Sequence, residues 1–446
     1  MATTAGRREQ DARSVPERAR ARRALVAGSV GNFIEWYEFG VYGYFATILA
    51  ANFFATEGSS AVEDLVKTYA SFALAFFFRP VGAALFGRIG DRIGRRPTLV
   101  IVLVLMAGAT ALIGLLPTRE TIGAAAPILL TLVRILQGLS AGGEFGGAVS
   151  IMTEFAPRGR RGLYGSLQSF TVALGLLAGA GLAALLAALL TEAQLSDWGW
   201  RIPFLLAVPL GAVALWLRLR LEETPAFVAA QAERGSSSAA APVVRPSVGR
   251  TAAAILLGIG RIMGWSAAGY TFLVVLPSYL QTTLNATFQA ALLATVIANL
   301  GFAVAIIPAG WLSDRVGRRP LMVTGAVLIT VLALPLLHVL QDPDAGAGVQ
   351  GAAVFLAGAV VGLMAGPGPA MLSEMFPTTV RYTGLGLSYS LSNAVFSGSA
   401  GLIITEAIKR TSNVDIPAYY VMATCLVSVF ALMTLRGDDH RRDLTD

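Results

Sequence analysis

Six ionisable residues stand inside otherwise apolar stretches of this sequence: Glu35, Glu38, Arg79, Arg134, Glu144 and Arg261. On insertion scales an ionisable side chain at the centre of a lipid bilayer costs about 2.5–3.5 kcal/mol, so such residues are kept where they pair or perform a function. Three of the six are acidic and three are basic, so the set balances in charge. The sequence predicts that they form a buried polar site inside an apolar scaffold.

Glu35 and Glu38 are three residues apart, which places them on one face of a helix. Asn32 and Tyr42 extend that face into a polar stripe. A desolvated carboxylate can load and release a proton near neutral pH. We predict that Glu35 and Glu38 carry protons and that Asn32 and Tyr42 contact a solute. The alternative is that the two carboxylates form a permanent structural ion pair with Arg79 or Arg134.

Arg134 and Glu144 lie on one predicted helix, about 15 Å apart along its axis, so they cannot pair with each other. Glu144 is predicted to take part in proton coupling, and Gln137 shares the face of Arg134. The glycines that follow have spacings better suited to close helix contact than to ligand binding. They are Gly138, Gly142, Gly143, Gly146 and Gly147.

Further polar residues could contact a solute. Arg261, near the middle of the seventh predicted helix, could hold a substrate carboxylate through two parallel hydrogen bonds. The other candidates are Arg79, Gln137, Tyr270, Asn299, Tyr389 and Asn393. A quaternary ammonium group would need an aromatic cage. Trp36, Tyr37, Tyr42 and Trp265 could supply it, although the same residues would also suit a packed core.

The scaffold has the composition of a membrane protein. Of its 446 residues 55% are hydrophobic and 14% charged, with mean hydropathy +0.65, whereas a soluble domain carries about 25% charged residues. Only two lysines occur, Lys67 and Lys409, and neither stands in a phosphate-binding glycine-rich motif, so ATP-driven work is not expected. One cysteine and two histidines offer no disulfide or metal cluster, and no cofactor is predicted.

Apolar runs predict an all-α integral membrane fold, since a bilayer core needs about 20 apolar residues per helix. The first half gives spans at 25–54, 66–90, 98–117, 126–155, 163–190 and 199–220. The second half gives 251–282, 288–312, 320–340, 350–376, 383–410 and 416–436. The predicted organisation is a tail (1–23), a six-helix bundle (24–220), a linker (221–250), a second six-helix bundle (251–436) and a tail (437–446).

Arginines cluster in the turns on one side of these helices. Those turns hold Arg92, Arg95, Arg96, Arg158, Arg160, Arg161, Arg315, Arg318 and Arg319. The opposite turns are poor in basic residues, apart from Lys409 and Arg410. Basic loops favour the cytoplasm, so both tails and the linker are predicted there, in a cell inner membrane. The net charge of +7 is then a topology signal and does not indicate a nucleic-acid partner.

Two motifs recur in the second half of the chain. Gly87-x-x-x-Asp91-Arg92-x-Gly94-Arg95-Arg96-Pro97 returns 223 residues later, and Glu154-x-x-Pro157-x-x-x-Arg161 returns 220 residues later. Two motifs in the same order at nearly the same offset indicate duplication. The repeat predicts two bundles related by an axis along the membrane normal, with a solute site near mid-membrane between them.

The two Asp-Arg turns are predicted to be gating elements. Asp91 and Asp314 end helices on the basic side, where a carboxylate can accept hydrogen bonds from the N-terminus of a neighbouring helix. Such contacts would close the bundles against each other on that side. The predicted gating residues are Asp91, Arg92, Arg95, Glu154, Asp314, Arg315, Arg318, Glu374 and Arg381.

The duplicated turn resembles the signature of the major facilitator superfamily. More specific stretches resemble its metabolite:proton symporter family, above all the proline/betaine transporters. They are Gly31–Gly40 (GNFIEWYEFG), Arg79–Gly82, Arg134-x-x-Gln137-Gly138, Trp198–Phe204, Glu222–Phe227 and Pro277–Leu280. α-Ketoglutarate, citrate and shikimate carriers share most of this pattern. The sequence departs from the family pattern in two places. Glu38 stands where the family often has Asp, and the long C-terminal coiled coil of the osmosensing members is missing, so osmotic activation is not expected.

The residues and the resemblance together predict proton-coupled import of a small zwitterion or carboxylate by alternating access, in a monomer with no enzymatic activity. The resemblance links Arg134 to proton coupling. A dicarboxylate or tricarboxylate carrier, an uncoupled facilitator and sodium coupling stay open as alternatives. The predicted partners are the solute, protons and the lipid bilayer.

Overall fold

In the computed structural model of the chain, the described residues are 26, 28–93, 95–142, 145, 149, 152–153, 156–157, 159–219 and 248–436. They are almost entirely helical, and they contain no strand. The predicted tails and nearly all of the predicted linker lie outside these ranges, as do Glu144 and Glu154.

The first half contributes six long helices, some of them built from several segments. Helix α1 comprises residues 28–44, Ala46–Leu49 and a π-helical turn, Ala50–Phe54. Then come α2 (Ala61–Ile93), α3 (Arg95–Leu115), a short helix (Arg119–Ile122), α4 (Ala125–Ala141, with helical residues up to 153), α5 (Arg161–Leu189) and α6 (Glu192–Gln194, Leu195–Gly199, Arg201–Leu205 and Ala207–Leu219).

The second half repeats this pattern. It contains α7 (Val248–Tyr270, a π-helical turn Thr271–Val275 and Leu276–Thr283), α8 (Phe288–Val316), α9 (Arg318–Gln341), α10 (Ala347–Ala365 and Gly368–Glu374), α11 (Thr378–Ser392, a π-helical turn Asn393–Gly398 and Ala400–Thr411) and α12 (Ile416–Met433). Helix α8 passes into α9 through Gly317, whose φ of 98° suits glycine.

The predicted all-α membrane fold is confirmed. Among the described residues, ten helices are long and apolar enough to cross a membrane, and Ala125–Ala141 is a shorter apolar helix. Most boundaries agree within a few residues. Helix α2 begins at Ala61, earlier than the predicted 66, because Ser60 and Glu63 form a capping box. The Glu63 amide donates to Ser60 Oγ at 3.2 Å, and the Ser60 amide donates to Glu63 Oε2 at 3.4 Å.

Glycines allow α2 and α4 to touch along their backbones. A Cβ atom on Gly138 would lie 1.9 Å from the Ala75 carbonyl oxygen, and one on Gly142 would lie 2.0 Å from that of Arg79. No side chain fits at such distances, so the predicted packing role of these two glycines is confirmed. This contact fixes the positions of Arg79 and Arg134, which lie on the two helices.

The two halves meet at both ends of the molecule. We call the end that holds the α2–α3, α4–α5, α8–α9 and α10–α11 turns the basic end. There α5 packs against α8, and a Cβ on Gly310 would lie 2.5 Å from Ser166 Cβ. At the opposite end Thr47 Oγ1 donates to Gln281 Oε1 at 2.9 Å, and Lys409 pairs with Glu63 at 2.9 Å.

Candidate functional site

A small cavity lies between the halves, midway along the helices. Its aromatic lining comes from both halves: Trp36 on α1, Trp265 and Tyr270 on α7, Phe302 on α8 and Tyr389 on α11. Its polar lining comprises Ser169, Ser266, Asn393 and Ser397. The cavity therefore suits a small ligand that is apolar or cationic over much of its surface.

Three predicted solute contacts line this cavity: Tyr270, Tyr389 and Asn393. Asn393 Nδ2 donates to the Tyr389 carbonyl oxygen at 2.9 Å, and Trp265 packs on the Tyr389 ring with centroids 6.0 Å apart. The buried Tyr270 hydroxyl has no hydrogen-bond partner within the described ranges. Phe145 of α4 stacks on Tyr389 with centroids 3.4 Å apart, so the first half contacts the lining from the other side.

A buried ion pair lies behind the aromatic lining. Arg79 Nη2 lies 3.1 Å from Glu35 Oε1, and both side chains are almost fully buried. The guanidinium carbon of Arg79 lies 4.3 Å from the ring centres of Phe39 and Phe76, and 5.7 Å from that of Trp36. Aromatic faces attract a cation, so these rings hold the arginine next to the cavity.

Glu38 belongs to a separate chain of hydrogen bonds. Arg134 Nη1 donates to Gln137 Oε1 at 2.6 Å, and Gln137 Nε2 donates to Thr110 Oγ1 at 2.6 Å. The Thr110 hydroxyl then donates to Glu38 Oε2 at 2.8 Å. Four predicted or newly found residues on three helices thus connect a buried cation to a buried carboxylate.

Arg134 is fully buried against aromatic rings. Its guanidinium carbon lies 4.1 Å from the centre of the Tyr42 ring and 4.8 Å from that of Phe72. Its Nε and Nη2 atoms make no hydrogen bond to any described residue. The Tyr42 hydroxyl forms a hydrogen bond with Ser71 Oγ at 2.6 Å. Tyr42 therefore lies against the arginine and outside the cavity lining.

Three predicted solute contacts lie elsewhere. Asn32 Nδ2 donates to Thr171 Oγ1 on α5 at 2.7 Å. Asn299 Nδ2 donates to the carbonyl oxygen of Leu273, within the π-helical turn of α7, at 3.2 Å. Arg261 Nη2 donates to Thr434 Oγ1 at 2.9 Å, just beyond α12. These side chains join neighbouring helices and are absent from the cavity lining.

A second charged cluster joins the halves at the basic end. Asp314 on α8 accepts hydrogen bonds from the amides of Gly162 at 2.7 Å and Leu163 at 2.9 Å, in the first turn of α5. Arg318 pairs with Asp314 at 2.8 Å and with Glu374 at 3.0 Å. Arg161 lies 3.3 Å from Glu374. This is the helix N-terminus contact that the Asp-Arg turn predicted, made here across the two halves.

The remaining predicted gating residues divide into three groups. Arg381 Nε donates to the carbonyl oxygens of Ser373 and Phe376, both at 3.2 Å, and thereby joins α11 to the end of α10. Arg315 is exposed, with its guanidinium carbon 3.7 Å from the Trp311 ring centre. The side chains of Asp91, Arg92 and Arg95, like residue Glu154, lie outside the described part of the structure.

Several site residues were not predicted. Thr110 stands alone among apolar residues of α3, and Ser169, Ser266 and Ser397 are small polar residues inside apolar helices. A hydroxyl in a membrane helix usually bonds to a carbonyl of its own helix, so sequence offers no way to select the ones that face a site. Phe145 is likewise one of 22 phenylalanines.

Two bundles of six helices around a central polar and aromatic cavity define a multi-pass membrane transporter for a small molecule. The sugar (and other) transporter family matches residues 24–247, and the major facilitator superfamily matches residues 255–445. The chain belongs to the major facilitator superfamily.

Two similar curated relatives are transporters. The proline/betaine transporter of Escherichia coli (strain K12) is 36% identical over 432 residues, which cover 94% of this chain and 84% of that protein. The ectoine/proline transporter of Corynebacterium glutamicum is 34% identical over 434 residues, which cover 95% of this chain and 85% of that protein. Among solved structures, a D-xylose-proton symporter superposes with a TM-score of 0.72 at 21% identity, covering 92% of this chain and 97% of that chain. At that identity the likeness concerns the fold alone.

Proposed function

We propose that this protein imports a small zwitterion of the proline or betaine type together with protons, by alternating access. The observation that carries the proposal is the central cavity, whose aromatic walls come from both halves and which lies beside the buried Glu35–Arg79 pair. The curated relatives, named for proline, betaine and ectoine transport, point to the same solutes.

The cavity chemistry favours a zwitterion over a solute with several negative charges. Trp36, Trp265 and Tyr389 offer ring faces to a quaternary or secondary ammonium group. None of the described residues that line the cavity is Lys or Arg. A citrate-type anion would need several cations in direct contact, whereas one carboxylate needs a single guanidinium nearby.

The buried carboxylates provide sites for the coupled proton. Glu35 and Glu38 lie on α1 beside the cavity, and each is within reach of a separate arginine, directly or through Gln137 and Thr110. A carboxylate in such an apolar setting exists stably either paired or protonated. Glu144 and Arg134 complete the coupling set that we propose.

The charged clusters at the two ends would act as gates. The Asp314 contact with the first turn of α5 holds the basic end closed, and its loss would open the cavity to that side. The arginine-rich turns favour the cytoplasm for the basic end. We therefore propose an inner-membrane carrier with both tails in the cytoplasm. We also propose that it works as a monomer, because a single chain lines the cavity.

Uptake into proteoliposomes tests this function. Radiolabelled glycine betaine and proline should accumulate above the outside concentration only when the outside is more acidic, and a sodium gradient should have no effect. Excess unlabelled glycine betaine should compete with the label, whereas α-ketoglutarate should not. Gradient-independent equilibration would instead indicate an uncoupled facilitator, and accumulation of α-ketoglutarate would indicate a carboxylate carrier.

A further inference from the structure

Arg79 has more hydrogen-bonding capacity than its surroundings use. A guanidinium carries five N–H donors in a fixed plane. In this structure the side chain of Arg79 is 3% exposed, its Nη2 atom contacts Glu35 at 3.1 Å, and its Nε atom has no hydrogen-bond partner among the described residues. An arginine buried with unused donors is set up for a further acceptor, because leaving such donors unsatisfied is costly.

Only one layer of side chains separates Arg79 from the cavity. Trp36 and Phe76 both contact its guanidinium, and Trp36 also lines the cavity. Phe76 packs edge-on against Tyr270, whose ring lines the cavity and whose buried hydroxyl has no partner within the described ranges. A different side-chain rotamer of Trp36 or Tyr270 would therefore bring a solute bound in the cavity into contact with Arg79.

We propose that the carboxylate of the solute and the carboxylate of Glu35 compete for Arg79. In the empty carrier Glu35 neutralises the arginine. When a solute binds, its carboxylate takes the place of Glu35 on Arg79, and Glu35 accepts a proton from the side to which the cavity is open. The ammonium group of the solute then remains among the aromatic walls. This exchange rests on the proposed function and gives Glu35 and Glu38 different roles.

Charge balance explains why the exchange would link one proton to one solute. The pair Glu35⁻ and Arg79⁺ is neutral, and Arg79⁺ paired with the solute carboxylate beside protonated Glu35 is neutral as well. The ammonium group of the solute adds one positive charge, which equals the charge of the bound proton and is held by the aromatic walls. Ionisable groups that face this pair from the surrounding helices include Arg134 on α4, Tyr270 on α7 and Tyr389 on α11, and Glu38 on α1 faces Arg134. A second unpaired carboxylate would add an uncompensated buried charge, which an apolar site resists.

Calorimetry of the purified carrier in buffers of different ionisation enthalpy measures the protons taken up on binding. On binding each glycine betaine molecule, the carrier should take up about one proton at neutral pH. Choline has the same trimethylammonium group and no carboxylate, so any choline binding should take up none. Equal proton uptake with both ligands would overturn the competition, since choline cannot displace Glu35 from Arg79.

Glu35→Gln imitates the protonated carboxyl group. This variant should bind glycine betaine without proton uptake and with an affinity that no longer depends on pH, while solute exchange across the membrane continues. Glu38→Gln is the matched variant one helical turn away, and it should keep the proton uptake on binding. Loss of the linked proton in Glu38→Gln and its retention in Glu35→Gln would reverse the assignment, although transport would still be proton-coupled.

Arg79→Lys separates the carboxylate contact from packing. Lysine keeps the positive charge but loses the planar set of donors. The affinity for glycine betaine should fall about ten- to a hundredfold, whereas choline binding should stay within about twofold of the unmodified carrier. An unchanged affinity for glycine betaine in a variant that melts at the normal temperature would overturn the role of Arg79. If glycine betaine binding takes up no proton while gradient-driven uptake persists, the exchange fails and the proposed function stands.

Discussion

At the scale of single residues, two buried carboxylates on one helix face have different surroundings. Glu35 contacts a guanidinium directly, whereas Glu38 accepts a hydrogen bond from Thr110, in a chain that leads through Gln137 to Arg134. Hydrogen bonds in such a chain polarise one another, so protonation of Glu38 weakens the bond from Thr110 and, through it, the bonds towards Arg134. Thr110 is the hydroxyl on which the Glu38 chain depends.

Thr110→Val should uncouple uptake from the pH gradient without unfolding the protein. Valine has nearly the shape of threonine, but it removes the hydrogen bond to Glu38 and leaves Gln137 without its acceptor. We expect gradient-driven accumulation to fall at least about tenfold, while counterflow exchange persists.

Thr330→Val is the matched control, since among the described residues the Thr330 hydroxyl donates only to the Ala326 carbonyl oxygen of its own helix. It should leave both activities unchanged. Normal accumulation by Thr110→Val, measured in the same proteoliposomes, would exclude the chain from the coupling mechanism.

At the scale of helices, the decisive contact is between an Asp side chain of one half and a helix N-terminus of the other. The amides in the first turn of α5 have no partner within their own helix and point along its axis. Asp314 accepts hydrogen bonds from two of them. Arg318 pairs with that carboxylate and with Glu374. Helix α5 also contributes Ser169, two turns further on, to the cavity, so the contact joins the basic end to the solute site.

Asp314→Asn should shift the carrier towards the state open at the basic end. Asparagine offers one acceptor instead of two and loses the ion pair with Arg318. The test places Cys at Ser397, a cavity residue, after the buried Cys425 is replaced by Ala. A membrane-impermeant thiol reagent, applied from the basic end, should label this Cys several times faster in the Asn variant.

Arg410→Gln serves as its control, because Arg410 is exposed at the opposite end and pairs only with Glu406 on its own helix among the described residues. Surface pairs of this kind contribute at most about 1 kcal/mol. Equal labelling rates in Asp314→Asn and Arg410→Gln would show that Asp314 does not hold the basic end closed.

At the scale of the whole molecule, contacts within each half stabilise that half, whereas contacts between the halves have to break during transport. Gly358 brings α10 against α8 inside the second half, where an added Cβ would lie 1.9 Å from the Ala298 carbonyl oxygen. Gly310 brings α8 against α5 of the first half, where the nearest atoms would lie 2.5 Å away. Alternating access requires the second kind of contact to separate and the first kind to persist.

Alanine at these two glycines should therefore give different outcomes. Gly358→Ala should lower the melting temperature and the yield of folded carrier, since neither helix can move without breaking its own half. Gly310→Ala should melt near the normal temperature and increase labelling of the Ser397→Cys reporter from the basic end, because the halves can move apart. A similar loss of stability in both variants would contradict this division.

Periodicity and residue spacing were enough to predict the membrane helices and the packing role of Gly138 and Gly142, because each depends on residues close in sequence. The repeat is visible directly as two motifs that return in the same order. The capping of α2 by Ser60 was missed, although its signal is a short motif. For the site, the sequence identified Tyr270, Tyr389 and Asn393, which line the cavity. It also selected Asn32, Asn299 and Arg261, which join helices instead. A polar residue on an inward helix face has the same sequence signature in both cases.

The sequence by itself determined that this is a duplicated membrane transporter with ionisable residues inside its helices, since hydrophobic length, arginine-rich turns and repeated motifs are local properties. Only the tertiary structure decided which charges meet. Glu35 had two candidate partners, Arg79 and Arg134, and the close α2–α4 contact at Gly138 and Gly142 places Arg79 against it. Pairing across helices depends on their rotation and spacing, which the packing of small residues sets and which no single stretch of sequence specifies.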